Sequence, residues 1–89
     1  MLLLSQTFRK AYSKRAGDSA YARDILLALS DGLKRDPYAM AQYRRPVRDG
    51  WLWIYVSPPV GAHPLIRIAY TIEAEDRVVT LRNYDQREL

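Results

Sequence analysis

The stretch Leu65-Ile66-Arg67-Ile68-Ala69-Tyr70-Thr71-Ile72 decides the fold, because a period of two runs through it. Ile66, Ile68, Tyr70 and Ile72 point to one face of a strand, and Leu65, Arg67, Ala69 and Thr71 to the other. An acidic turn, Glu73 to Asp76, follows. Arg77 to Tyr84 then repeats the pattern, with Val79 and Leu81 opposed to Val78, Thr80 and Arg82. Two such runs separated by so short a turn predict an antiparallel hairpin.

Working backwards, Trp51 to Val56 is aromatic and β-branched and predicts a third strand. The segment between it and Leu65 holds Pro58, Pro59 and Pro64, which an inner strand does not accept, so residues 57–64 are a loop. Asp49-Gly50 is a turn signal. Residues 36–50 read as a connection with room for a helical turn at Tyr38 to Tyr43, and Arg44, Arg45 and Arg48 cluster in it around Pro46.

The first half is helical. Ser5 offers an N-cap, and Phe8, Ala11, Tyr12 and Arg15 fall at helical spacing, which predicts a helix over about residues 5–15, ended by Gly17-Asp18. A second helix starts after Ser19, its apolar face made by Ala22, Ile25, Leu26, Leu29 and Leu33. Asp36-Pro37 stops it, since proline disfavours a helical conformation in the residue before. Leu2-Leu3-Leu4 reads as a short opening strand or a frayed end. The order predicts one α+β domain over residues 1–89, an N-terminal helical hairpin packed on a C-terminal antiparallel β-sheet. The Ile66–Ile68–Tyr70 face takes the helices, and the Arg67–Ala69–Thr71 face is left open to solvent.

Composition narrows the function classes. The chain has 89 residues, 48% of them apolar, which suits one globular core. It has no cysteine, so disulfides and thiolate metal sites are excluded. Leu2–Leu4 is too short for a signal peptide or a membrane span, so the expected location is cytoplasmic, with no membrane partner. Net charge is +4, and 11 of the 14 basic residues are arginine, the side chain that grips phosphate or carboxylate in a bidentate fork.

Few residues are left to carry chemistry. There is no Gly-rich phosphate loop, and the single histidine, His63, lies in the proline-rich loop with no carboxylate near it in sequence; neither a metal nor a cofactor is expected. Arg67 stands mid-strand between isoleucines, so it pairs with a carboxylate or faces a ligand. With Arg82 and Arg87 from the next strand it can converge on a phosphate. Trp51, Trp53, Tyr55, Tyr70 and Tyr84 at strand spacing favour core packing over base stacking.

Together these elements resemble the RelE/ParE superfamily of bacterial type II toxins. The likeness lies in Leu3-Leu4-Ser5-Gln6-Thr7-Phe8-Arg9-Lys10-Ala11-Tyr12, in the Asp36-Pro37 break, in the Leu65–Ile72 strand, and in Arg77–Leu81 with Tyr84-Asp85-Gln86-Arg87-Glu88. The resemblance implies a toxin inhibiting translation by RNA cleavage, on the ribosome or free, and held by an acidic antitoxin. It places the phosphate-binding arginines of the ribonuclease branch at Arg67 and at Arg87 after the last strand. Arg44, Arg45, Arg48 and Arg82 are the expected further nucleic-acid contacts. That branch has lysines on the preceding strand; Trp51–Val56 has none, which leaves Arg48, His63 or Tyr84 to act instead. The alternatives on the same fold are a non-enzymatic ParE-like inhibitor of gyrase and a basic binding adaptor.

Overall fold

The two serines open the two helices by the same bond. A computed structural model, which describes residues 1–88, has α1 at Gln6–Ala16 and α2 at Ala20–Arg35; Leu89, the end of the expected domain, lies outside the described residues. The side chains of Ser5 and Ser19 accept hydrogen bonds from the N–H groups of Phe8 and Ala22, both at 3.1 Å. Each bond satisfies a donor that the first turn leaves without a helical partner. Gly17 ends α1 with φ at 55°, which glycine adopts freely. Asp36-Pro37 ends α2 as expected.

Five strands follow or flank the helices: β1 Leu2–Leu4, β2 Tyr43–Val47, β3 Gly50–Val56, β4 Leu65–Glu73 and β5 Val78–Arg87. They form one sheet in the order β1-β5-β4-β3-β2. The molecule is therefore α+β with a helical pair on the sheet, but the sheet departs from expectation in three ways.

The first is its sense. β1 runs parallel to β5, with Leu3 opposite Thr80, so the sheet is mixed and not antiparallel throughout. The Ser5 N–H donates to the Leu81 carbonyl at 2.9 Å, carrying the pairing to the start of α1. The second is β2, which lies where a connection was expected. A two-residue link, Arg48-Asp49, joins Val47 to its partner Gly50, and Gly50 has φ at 143°, a conformation that side-chain-bearing residues rarely adopt. Pro46 hides this strand in the sequence. β2 has a neighbour on one side only, so a residue without an N–H fits where that group would face away from β3.

The third is a bulge. Tyr70 pairs with Leu81 but Ala69 pairs with Asn83, so Arg82 is the extra residue. Its effect reaches the end of the strand. Without the slip Arg67 would oppose Tyr84; with it, Arg67 opposes Asp85 and Tyr84 opposes Ile68 on the helix side.

The core lies between the helices and that side of the sheet. Phe8, Leu29, Leu33, Ile66, Ile68, Tyr70, Leu81 and Tyr84 are all buried, as the strand pattern predicts for the Ile66–Ile68–Tyr70 face. Phe8, Tyr12 and Tyr84 pack as an aromatic triad with centroids 5.1–6.2 Å apart, which seats α1 on β5. The Tyr70 hydroxyl donates to the Pro37 carbonyl at 3.0 Å, fixing the chain just after α2. Met40 lies so close to Gly32 that an added Cβ would meet its Sδ, so a side chain at Gly32 would displace Met40. Among the described residues no helix is long and apolar enough to cross a membrane.

Candidate nucleic-acid interface

Arg67 is the third residue of β4, the middle strand of the sheet, and lies on the face away from the helices, as the alternation predicts. Its guanidinium donates to Asp85 Oδ2 at 2.7 Å across the β4–β5 pair, and its side chain remains about half exposed. Of the two readings the sequence left open, the carboxylate partner is the one observed. That hydrogen bond, and then Tyr43, raises the Arg67 pKa above its ordinary value. The same bond lowers the Asp85 carboxyl below its ordinary value, against an opposing desolvation. Arg15 approaches Asp85 from α1, with Nη1 at 3.7 Å from Oδ1, while its Nη2 donates to the Gln86 carbonyl at 2.6 Å. Asp85 thus lies between two arginines, one from the sheet and one from the helical layer.

The remaining expected residues divide into groups. Arg87 is the last residue of β5 and not part of a segment after it. It opposes Leu65, so it shares a face with Arg67 one diagonal step away, a spacing of about 7–8 Å between such neighbours. Arg82 does not join them. Its Nε donates to Thr71 Oγ1 at 3.0 Å, four residues along β4 from Arg67, or about 13 Å at strand rise. The predicted convergence of three arginines is therefore a pair, Arg67 and Arg87, with Arg82 separate.

Arg44 and Arg45 are neighbours on β2 and point to opposite faces. Arg45 joins Arg67, Tyr43, Ile54, Asn83 and Asp85 around a depression of 230 Å³ on the open face. Arg44 lies on the helix side, its guanidinium 3.8 Å from the centroid of Trp51 and 5.3 Å from that of Trp53. Arg48 is in the turn at the hairpin tip. Of the other two expected substitutes for a lysine, Tyr84 borders that depression but sends its side chain to the helix side, and His63 packs on α2. Tyr84 is buried against α1, with its hydroxyl donating to Gln86 Oε1 at 2.8 Å and its pKa pushed up to about 12 by burial. His63 lies flat against Tyr21 of α2, centroids 3.9 Å apart.

Two residues of the open face were missed from sequence, Tyr43 and Asp85, and one from the helical layer, Arg15. Asp85 could have been found only by placing the bulge, since a regular hairpin puts Tyr84 opposite Arg67. The aromatic expectation holds for Tyr70 and Tyr84 and fails for Trp51, which is 43% exposed. Among the described residues no group of three or more His, Asp or Glu side chains is placed to hold a metal.

The site defines a class, a small α+β protein with arginines from β2, β4 and β5 on the open face of its sheet. Comparison with protein-family models, with curated proteins and with solved structures finds no match to this chain.

Proposed function

We propose that this protein is a toxin of the RelE/ParE type that inhibits translation by cleaving RNA on the open face of its sheet. The observation that carries the reading is Arg67 on the open face of the middle strand, one diagonal step from Arg87 and lining the same depression as Arg45. The element order supports it: a short first strand, a helical pair and a sheet whose helix-free face holds the arginine. In the proposed reaction an RNA 2′-oxygen attacks the adjacent phosphorus and the P–O5′ bond breaks, leaving a 2′,3′-cyclic phosphate and a 5′-hydroxyl. Water takes the 2′-hydroxyl proton and protonates the leaving 5′-oxygen, while Arg67 and Arg87 hold the phosphate oxygens where negative charge develops. Asp85 is held ionised by Arg67, which makes it a weak base, so the arginines rather than general-base catalysis dominate.

A second hollow fits the acidic antitoxin that such a toxin implies. It has a volume of 580 Å³ and lies where the end of α2 meets β1 and β5. Leu2, Leu33, Ile72 and Val79 make its apolar floor, with Lys34 and Arg77 among its lining residues. An amphipathic segment with acidic flanks matches both properties.

The Arg67–Asp85 pair favours one further reading, a non-enzymatic ParE-like inhibitor of gyrase, because a guanidinium already engaged by a carboxylate is less free for a phosphate. Expression in bacteria, RNA analysis in a translating extract and a gyrase supercoiling assay separate the two. The cleavage reading expects growth arrest and new RNA ends, both abolished by Arg67→Ala. Wild-type and Arg67→Ala proteins that arrest growth equally and cut no RNA would overturn it, and inhibition of supercoiling would then establish the second.

A further inference from the structure

The β2–β3 hairpin outruns the rest of the sheet. β3 is paired with β4 only over Trp53–Val56, whereas its pairing with β2 continues to Gly50. Arg45 to Leu52 therefore form a two-stranded arm, and every residue from 42 to 51 is exposed. A lone hairpin is marginal in water, so something must stiffen it. On the helix side Tyr38 meets Trp53 edge-on at 5.2 Å, and the Arg44 guanidinium lies over both indoles. Holding the arm accounts for Trp53, which is half-buried and packs against the core. It does not account for Trp51, which lies beyond the last β3–β4 pair, is not among the residues packed on the core, and is 43% exposed even with Arg44 over its ring.

Between the arm and the end of β4 is a cleft of 810 Å³. Trp51 and Arg44 line it from the arm, Arg48 from the tip, and Arg82 from the sheet, held there by Thr71. We propose that this cleft is a stacking site for single-stranded RNA. An unpaired base lies against Trp51, and Arg48 and Arg82 meet the phosphates that flank it. Asp49 and Glu73 also line the cleft; they suit the exocyclic amines of a base and would repel an acidic peptide. A duplex offers no free base face, so the site discriminates against paired RNA. The inference rests on RNA as the ligand class of the proposed function, but it uses a different part of the surface, about 13 Å or more from Arg67 on the Arg82 side.

The test is fluorescence anisotropy with a dye-labelled oligoadenylate, using wild type, Trp51→Ala, Trp51→Phe, Arg48→Ala and Arg67→Ala proteins of matched melting temperature. Trp51→Ala is expected to weaken binding about tenfold or more, the usual contribution of one base–aromatic stack, and Trp51→Phe to recover most of it. The same strand annealed to its complement should bind without dependence on Trp51, and polyglutamate should not displace the single strand. Unchanged affinity of Trp51→Ala would overturn the proposal, as would polyglutamate binding with the same dependence on Trp51, which would assign the cleft to an acidic protein. Binding that depends on Trp51 in a protein that cuts no RNA would keep the stacking site and remove the cleavage reading alone.

Discussion

Replacing Asp85 by Asn should make the protein a stronger and more salt-sensitive RNA binder. Asp85 accepts from Arg67 at 2.7 Å and lies 3.7 Å from Arg15, so in the folded protein its one negative charge offsets one of two half-exposed guanidinium charges. The substitution raises the net charge from +4 to +5 and keeps an oxygen that can still accept from Arg67. Each arginine released to a phosphate of a single strand steepens the slope of log affinity against log salt by about 0.7. Arg15 keeps its bond to the Gln86 carbonyl, so the release of Arg67 alone gives about a 2.6-fold larger loss of affinity over a fourfold rise in salt. The cost in stability is small, because all three side chains are more than a third exposed; such pairs contribute about 0.2–1 kcal/mol after screening. The melting temperature should therefore fall by less than about 8 °C. The Asp85 carboxyl is held below its unfolded value, so its stabilisation is present above the unfolded pKa and is lost as pH falls through the lower folded one. Asp85→Asn should accordingly lose less stability on acidification than wild type. The assay is anisotropy titration at several salt concentrations, beside thermal unfolding of both proteins. A slope equal to or shallower than that of wild type would refute the idea that Asp85 masks Arg67.

Two further outcomes test the fold. Leu29 is fully buried in the face of α2 that meets the sheet, so Leu29→Ala should cost about 2–5 kcal/mol in urea unfolding, and a loss below about 1 kcal/mol would mean that this face is not the packed one. Tyr70 and Tyr84 have pKa values pushed up to about 12 by burial, from an ordinary value of 10.0. The fold favours the neutral phenols, so their stabilisation is complete below pH 10 and is lost as pH rises toward 12. Tyr84→Phe should reduce that alkaline loss in denaturant unfolding across this range; an undiminished loss would count against the burial of Tyr84.

The helices were legible because their signals are local. Ser5 and Ser19 cap through bonds to residues three positions on, and the face from Ala22 to Leu33 follows from helical spacing alone. The β4 alternation was equally local and already separated Arg67 from the buried Ile66–Ile68–Tyr70 face. Three features were not local. β1 was readable as a short strand or a frayed end, and only its parallel pairing with residues 77 positions away decides for the strand, since a uniform apolar run has no period of its own. β2 contains a proline that argues against a strand unless the chain is known to lie at an edge, which only the assembled sheet decides. The bulge at Arg82 turns Tyr84 inward to Phe8 and Tyr12 and leaves Asp85 outward, against Arg67 and Arg15. Sequence by itself determined that Arg67 would be displayed on the open face. Whether it stood free or paired turned on a one-residue slip in register, and that slip is settled by how Tyr84 packs under α1, a contact between chain segments about seventy residues apart.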